Sequence, residues 1–250
     1  METEKINGIP VDVITYDSIM EELPSWLVGK KKMIITSINP QIATYAHRYP
    51  EIIEYILHST HRIPDGEGVV KVSQIFGGNI KTRLTGIDLI YRLLDYGNQH
   101  KLSFFLYGSH PEIIKKVVKN LQTDYPNIKI AGFIDGYTTL SEAEIVEEIN
   151  RVKPTFLFVG LGFPKQEQFL ARNVKNLKAK VFLDVGGSFD VISGEVSRAP
   201  NFFIKHHLEW LYRSVQRPSR IVRIFELPVF VAKATLYRIR YHSLLKKEDK

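Results

Sequence analysis

The chain has 250 residues, 44% of them hydrophobic and 24% charged, which suits one globular domain with a full core. It contains no cysteine, which excludes disulfide scaffolds, thiolate zinc sites and cysteine nucleophiles. No stretch approaches the ~18 apolar residues of a membrane span, and the first ten residues lack a secretory pattern, so we expect a cytosolic protein.

Predicted strands and helices alternate along the chain. The first fifteen residues, with Asn7-Gly8 between two short apolar runs, predict a β-hairpin. Helical periodicity occupies Pro111–Tyr125 and Ser141–Arg151, and the second helix opens with a capping box of Ser141 and Glu144. Apolar runs predict strands at Lys32–Ile38, Ser103–Tyr107, Ile128–Phe133, Thr155–Gly160 and Lys180–Val185. This alternation predicts an α/β fold of Rossmann-like type, with a largely parallel sheet and helices on both faces.

The positive charge lies in the C-terminal fifth of the chain. The formal net charge is +7, and residues 198–250 alone hold 12 basic and 4 acidic residues. Their periodicity is helical and amphipathic, which fits an anionic membrane surface. We therefore predict an α/β domain at residues 1–197 (the body) and a basic helical appendage at residues 198–250 (the appendage). An ordinary solvated helix packed on the body is the alternative for the appendage.

Glycine-bearing loops follow several predicted strands. They are Gly108-Ser109, the run from Gly160 to Glu167, and the run from Gly186 to Asp190. Such loops let backbone N–H groups approach a phosphate, and the carboxyl ends of parallel strands share one edge of the sheet. Three of them favour a nucleotide or sugar-phosphate site. The sequence lacks GxxxxGK[ST], GxGxxG after the first strand, DxD and HExxH, so we expect neither metal nor cofactor, and arginines and amides must neutralise a diphosphate.

Several short motifs occur together in an order typical of one enzyme family. They are Ser37–Pro40, Pro64–Gly68, Arg83–Asp88, Gly132–Tyr137, Gly162–Glu167, Gly186–Asp190, Arg198–Pro200 and Leu208–Arg213. On these motifs the chain resembles the WecG/TagA/CpsF glycosyltransferases, and within them the TagA/TarA type, over nearly its whole length. Ser37 stands where the family usually has Thr, and Phe169 where Trp is common. Serine keeps the hydroxyl, and Phe169 does not touch the expected mechanism.

The resemblance implies a reaction. Such enzymes transfer N-acetylmannosamine from UDP-ManNAc to the 4-hydroxyl of GlcNAc on undecaprenyl diphosphate, with inversion to a β-1,4 linkage, early in wall teichoic acid synthesis. The implied partners are a UDP-sugar donor, this lipid-linked acceptor and the inner face of the plasma membrane, where the enzyme would be peripheral. A UDP-ManNAc uronate or UDP-hexose donor is the alternative. A uronate needs a further cation in the body, and the sequence does not point to one. The oligomeric state stays open, a homo-oligomer included.

A nucleic-acid-binding protein is the interpretation from a different class, because a basic segment with Tyr and Phe also suits phosphate backbones. It leaves the glycine-bearing loops and the Asp65 motif unused, so we expect no nucleic-acid partner. Sedimentation with anionic liposomes, compared with binding to DNA or RNA, separates the two interpretations.

The catalytic candidates follow from what inversion requires, a general base for the acceptor hydroxyl and stabilisation of departing UDP. Asp65 is the candidate base and Glu67 the fallback. A turn aspartate in an Asp-Gly pair is more common on sequence grounds, and the resemblance favours the base. Arg213, Arg220 and Arg223 are expected to meet a diphosphate when the appendage folds over the site, because guanidinium groups bind it bidentately.

The candidates for substrate binding each have a structural alternative. Ser37 and Asn39 are expected to bind the donor sugar or the acceptor, against an ST- or Asx-turn before Pro40. Gln166 is a better ligand than Glu167, whose place at a helix N-terminus is explained by the helix dipole.

Further substrate-binding candidates lie in other loops. Asp190 is expected to hold ribose hydroxyls and Tyr137 to border the uracil, with turn and packing roles as the alternatives. Arg83 and Asp88 flank a loop–helix junction, where an ion pair between them is an equal alternative. The remaining candidates are the small residues of these loops, Gly86, Gly108, Ser109 and Gly136.

Overall fold

A computed structural model of the chain describes residues 1–197, 199–200, 202–203, 212 and 222–248, and for 222–226 and 241–248 it describes the backbone alone. The described elements alternate between strand and helix through the body, which confirms the predicted α/β class.

A β-hairpin opens the chain, as the sequence predicted. Strands β1 (Thr3–Ile6) and β2 (Ile9–Asp12) pair antiparallel around Asn7 and Gly8, whose φ angles of 51° and 82° suit the tight two-residue turn. Asp12 is buried and accepts from Arg62 Nη2 at 2.9 Å, which ties the hairpin to the central sheet.

The central sheet has six parallel strands in the spatial order β4-β3-β8-β7-β5-β6. Its strands are β3 (Met33–Ile38), β4 (His61–Pro64), β5 (Ser103–Gly108), β6 (Lys129–Ile134), β7 (Phe156–Gly160) and β8 (Val181–Asp184). All the predicted strands are present within two residues of their predicted bounds. Because the strands run parallel, all six carboxyl ends lie at one edge.

Helices cover both faces of the sheet, which confirms the predicted arrangement. The body contains α1 (Tyr16–Val28), α2 (Pro40–Tyr45), α3 (Pro50–His58), α4 (Glu67–Ile75), α5 (Gly86–Gln99), α6 (Pro111–Asp124), α7 (Glu142–Val152), α8 (Lys165–Asn173) and α9 (Ser188–Ile192), with a 3₁₀ turn at Ala46–Arg48. Helices α1, α5, α6 and α9 share one hydrophobic core, while α2, α3, α4, α7, α8 and the hairpin share the other. The capping box at Ser141 and Glu144 is present.

A long helix, α10 (Val222–Glu248), packs on the body. Phe230 is 0% exposed and Ala234 is 2% exposed, and both belong to the core that α2 and α4 share. Leu227 and Phe230 lie close to Gly68, where an added Cβ would come within 2.8 Å of Leu227 Cδ1. The described part of the appendage therefore contributes to the core of the body. Among the described helices, none combines the length and apolarity that crossing a membrane requires.

Candidate functional site

A cleft of about 450 Å³ opens at the carboxyl edge of the sheet. Residues that follow all six strands line it, together with the first turns of α5, α8 and α9. It brings together most of the predicted site residues: Ser37, Asn39, Asp65, Arg83, Gly86, Ser109, Gly136, Tyr137, Gln166, Glu167 and Asp190. Residues from distant parts of the sequence thus share one open cavity, as expected for the edge of a parallel sheet.

Other predicted residues are not part of the cleft lining. Glu67 begins α4, and Gly108 is the last residue of β5. Thr85 caps α5, because its Oγ1 accepts from Asp88 N at 3.2 Å, and the Asp88 carboxylate accepts from the same hydroxyl at 2.6 Å. Arg213 and Arg220 lie outside the described residues, and for Arg223 the structure describes the backbone alone.

Asp65 and Arg83 form an ion pair at the cleft. Arg83 Nε lies 3.8 Å from Asp65 Oδ1, and the two side chains are 17% and 29% exposed, respectively. Backbone hydrogen bonds fix both segments, because Asp65 N donates to Ile38 O and Leu84 N donates to Pro64 O, each at 2.9 Å. Arg83 thus has Asp65 as an ion-pair partner, which the sequence analysis did not predict.

Ser37 and Asn39 leave the end of β3 and line the cleft. Asn39 Oδ1 accepts from Ile42 N at 2.9 Å and caps α2. This side-chain oxygen therefore has the structural role that the Asx-turn alternative gave it. Ser37 is 5% exposed, and its N–H donates to Asp184 Oδ1 at 3.2 Å. Their role in binding sugar stays a prediction.

The glycine-bearing loops are interlocked through their backbones. Ser109 N donates to Gly160 O at 3.0 Å, and Gly136 N donates to Ser109 O at 2.8 Å. At Gly108 φ is 127°, and an added Cβ would lie 2.3 Å from Gly160 O, so this position requires glycine. These contacts hold the loops after β5, β6 and β7 against one another.

A single side chain joins two further loops. Gln166 Oε1 accepts from Gly162 N at 3.1 Å and from Gly186 N at 3.2 Å, while Gln166 Nε2 donates to Glu167 Oε1 at 2.8 Å. These N–H groups, like those of Ser109 and Gly136, already donate within the protein. Neutralisation of a phosphate by N–H groups of the glycine-bearing loops stays a prediction, and these four N–H groups already have acceptors within the protein.

Two carboxyl groups of the cleft lining are almost fully buried, and the sequence pattern singled out only one of them. Glu167 is 1% exposed, and its Oε2 accepts no hydrogen bond in the described part of the chain. Asp184 accepts from Thr36 Oγ1 at 3.0 Å and from Ser37 N. Burial raises the pKa of Glu167 to about 7, and burial followed by the charge of Glu167 raises the pKa of Asp184. The sequence feature that could have identified Asp184 is its position as the one acidic residue at the end of the apolar strand β8.

The raised pKa of Glu167 predicts how stability changes with pH. As pH rises from about 4.5 to about 7, the unfolded chain loses this proton first, so the folded state loses stability. Glu167→Gln removes the titration, and its carbonyl can still accept from Gln166. Relative to wild type, we expect the free energy of unfolding of this variant to rise with pH over that range, by up to about 1.4 kcal/mol per pH unit. Urea titrations at several pH values measure it.

Glu144→Gln is the matched control for that measurement. Glu144 is solvent-exposed, and the capping interactions with Ser141 lower its pKa. Relative to wild type, the free energy of unfolding of Glu144→Gln should therefore not increase as the pH rises. A Glu167→Gln difference that stays constant across the pH range contradicts the raised pKa.

Aromatic and cationic side chains complete the cleft wall. The rings of His110 and Tyr137 stack with centroids 4.1 Å apart, and Tyr137 is 65% exposed. Lys165 also lines the cleft, although the sequence pattern did not single it out within its motif. Lys165 is thus a cation of the body at the cleft that the sequence analysis did not name. Within the described residues, no group of three or more His, Asp or Glu side chains is placed to hold a metal ion.

Comparison with known proteins identifies glycosyltransferases as relatives of this chain. Residues 4–244 match the model of the glycosyl transferase WecG/TagA/CpsF family. A Bacillus subtilis protein named N-acetylglucosaminyldiphosphoundecaprenol N-acetyl-beta-D-mannosaminyltransferase is 37% identical over 232 residues, covering 92% of this chain and 90% of that protein. Proteins of the same name from Bacillus spizizenii and Staphylococcus aureus are 36% and 32% identical, over 92% and 91% of this chain and 90% of each relative.

Proposed function

The chain belongs to the WecG/TagA/CpsF family of glycosyltransferases, and we propose that it transfers N-acetylmannosamine from UDP-ManNAc to the 4-hydroxyl of GlcNAc-diphosphoundecaprenol. The observation that carries this proposal is the 37% identity, over nearly the whole chain, to a relative named for that transfer. The product is a β-1,4-linked lipid disaccharide, the start of the wall teichoic acid linkage unit.

Asp65 is proposed as the general base. Inversion in one displacement needs a carboxylate that takes the proton of the acceptor hydroxyl as its oxygen attacks the anomeric carbon, while UDP leaves from the opposite side of that carbon. Asp65 lines the cleft with its side chain 29% exposed, so an acceptor hydroxyl can reach it. Arg83, 3.8 Å away, holds the opposite charge beside the reacting groups.

The appendage is proposed to supply the arginines that stabilise departing UDP, namely Arg213, Arg220 and Arg223. The packing of α10 supports this, because Leu227 and Phe230 contact the segment around Gly68, just beyond Asp65. In sequence, Arg223 and Arg220 precede Leu227 by four and seven residues. Closure over the site would also exclude water from the donor.

We propose further that α10 attaches the enzyme to the inner face of the plasma membrane. The face of α10 opposite Phe230 exposes Val229, Leu236 and Ile239. Arg240 is exposed on the same helix, and Lys246 and Lys247 follow it in sequence. Apolar and basic residues together suit a helix that lies at an anionic membrane surface without crossing it.

A panel of UDP-sugars tests the proposed donor. The assay combines the full chain with a short-chain lipid-linked GlcNAc acceptor and measures transfer from UDP-ManNAc, UDP-GlcNAc, UDP-glucose and UDP-ManNAc uronate. We expect kcat/KM for UDP-ManNAc to exceed that of each competitor by at least about tenfold. UDP-ManNAc uronate is included because its carboxylate would need a cation in the body, and Lys165 provides one. Preferred transfer of another sugar overturns the proposed donor.

The proposal also predicts resistance to chelators. The sequence lacks the DxD pair that commonly clamps a metal–diphosphate complex, so the leaving group is assigned to cationic side chains. We expect the transfer rate in EDTA to equal the rate without it. A rate that falls in EDTA and returns with Mg²⁺ or Mn²⁺ contradicts metal independence.

A further inference from the structure

A nucleotide diphosphate brings several negative charges into a cleft whose described lining is rich in acids. Asp65, Glu167, Asp184 and Asp190 contribute carboxyl groups to that lining. Arg83 is already paired with Asp65. Five backbone N–H groups of the loops, those of Ser109, Gly136, Gly162, Gly186 and Ser188, donate to oxygens of the protein. A further cationic side chain of the body would therefore help to neutralise the diphosphate.

Lys165 has the properties that this role needs. It is the first residue of α8, a nine-residue helix, and its exposed side chain lines the cleft. Within the described part of the chain, this ammonium group forms no ion pair and no hydrogen bond. The positive end of the helix dipole lies at the same place and adds to its field.

Glu167, in the same first turn, provides an independent indication of a ligand on this wall. It lines the cleft, and its Oε2 is buried without a hydrogen-bond donor in the described residues. Ribose and sugar hydroxyls are the donors that a nucleotide sugar carries. The first turn of α8 thus offers both a cation and an unsatisfied acceptor to the cleft, which suits a ligand that carries phosphate and hydroxyl groups.

We propose that Lys165 binds the diphosphate of the nucleotide-sugar donor. This assignment rests on the proposed function, since it takes the UDP-sugar as the ligand of the cleft. It separates two tasks, because Lys165 holds the donor's diphosphate from the body, whereas the appendage arginines act on charge that develops as UDP departs. Lysine suits the first task as a compact point charge that needs no bidentate geometry.

Nucleotide binding by the full-length chain tests the assignment. Wild type and Lys165→Ala are titrated calorimetrically with UDP and with uridine, which lacks the phosphates. We expect the substitution to weaken UDP binding about tenfold or more, the usual loss for a charge-assisted hydrogen bond, and to leave uridine binding unchanged. Lys165→Arg should retain most of the affinity for UDP. Lys119→Ala, on the exposed face of α6, is the matched control and should bind as wild type does.

The outcomes separate this assignment from the proposed function. If wild type binds neither UDP nor UDP-sugars, the proposed function fails, whatever Lys165 does. If wild type binds UDP and Lys165→Ala binds it equally well, the lysine assignment fails and the proposed function stands. If UDP affinity is unchanged but the KM for the lipid acceptor rises, Lys165 serves the acceptor's diphosphate and the donor assignment is overturned. Equal loss of UDP and uridine binding also overturns it, because the effect is then not on the phosphates.

Discussion

Asp65→Asn is expected to lower the transfer rate by about 10²–10⁴-fold, the usual contribution of a general base. The carboxamide keeps the shape of the side chain but cannot take a proton from the acceptor hydroxyl. The backbone bond from residue 65 N–H to Ile38 O does not involve the side chain, so the loop should keep its position. UDP binding should persist, because the substitution removes a negative charge from the cleft. Single-turnover transfer with saturating donor and acceptor measures the chemical step.

Glu67→Gln is the matched control, because Glu67 follows two residues later but is not part of the cleft lining. It should transfer at close to the wild-type rate. A variant of Asp65 that keeps more than about a tenth of the wild-type rate when chemistry is limiting shows that the base is elsewhere. Loss of rate in Glu67→Gln alone would assign the base to Glu67.

Phe230→Ala is expected to lower the free energy of unfolding by about 3–5 kcal/mol, the range for removing a buried aromatic side chain. Phe230 is fully buried in the core that α2 and α4 share, and it lies close to Gly68. Transfer should fall as well, because this side chain anchors α10 to the body and the proposal assigns catalytic arginines to the appendage. Urea unfolding followed by tryptophan fluorescence gives the stability, and the short-chain acceptor assay gives the rate.

Leu236→Ala is the control for that substitution. Leu236 lies on the same helix but is 55% exposed, so its loss should change stability by no more than about 0.5 kcal/mol. Leu236→Ala should weaken sedimentation with anionic liposomes. Phe230→Ala is a poorer test of membrane attachment, because it also destabilises the fold. Unchanged stability and full activity in Phe230→Ala would show that the appendage acts independently of the body. Point substitutions are preferable to truncation before Arg198, which removes the core residues Phe230 and Ala234 together.

Local sequence signals predicted the elements of this fold well. The hairpin follows from Asn7-Gly8, because both residues adopt positive φ in a tight turn. The helix after Ser141 follows from reciprocal capping by neighbours in sequence. The site also followed in outline, because loops after parallel strands meet at one edge whatever the order of the strands.

The order of the strands could not be predicted, and several contacts in the site depend on it. Strand β8 lies between β3 and β7, which places Asp184 against Thr36 across 148 residues of sequence. No periodicity indicates which strands become neighbours. The hydrogen bonds of Gln166 to two loops also depend on the order of the strands and could not be predicted. The sequence analysis therefore interpreted the glycines of these loops as phosphate ligands. Lys165 was missed because a lone lysine at a helix start is ordinary in sequence.

The two hydrogen bonds at Gln166 Oε1 have a consequence for altering donor preference. Because one oxygen holds both Gly162 and Gly186, the loops after β7 and β8 cannot shift independently. Substitutions in either loop are therefore expected to be strongly epistatic with changes in the other. Libraries that vary both loops together while retaining Gln166 should yield new donor specificities more often than libraries that vary one loop at a time.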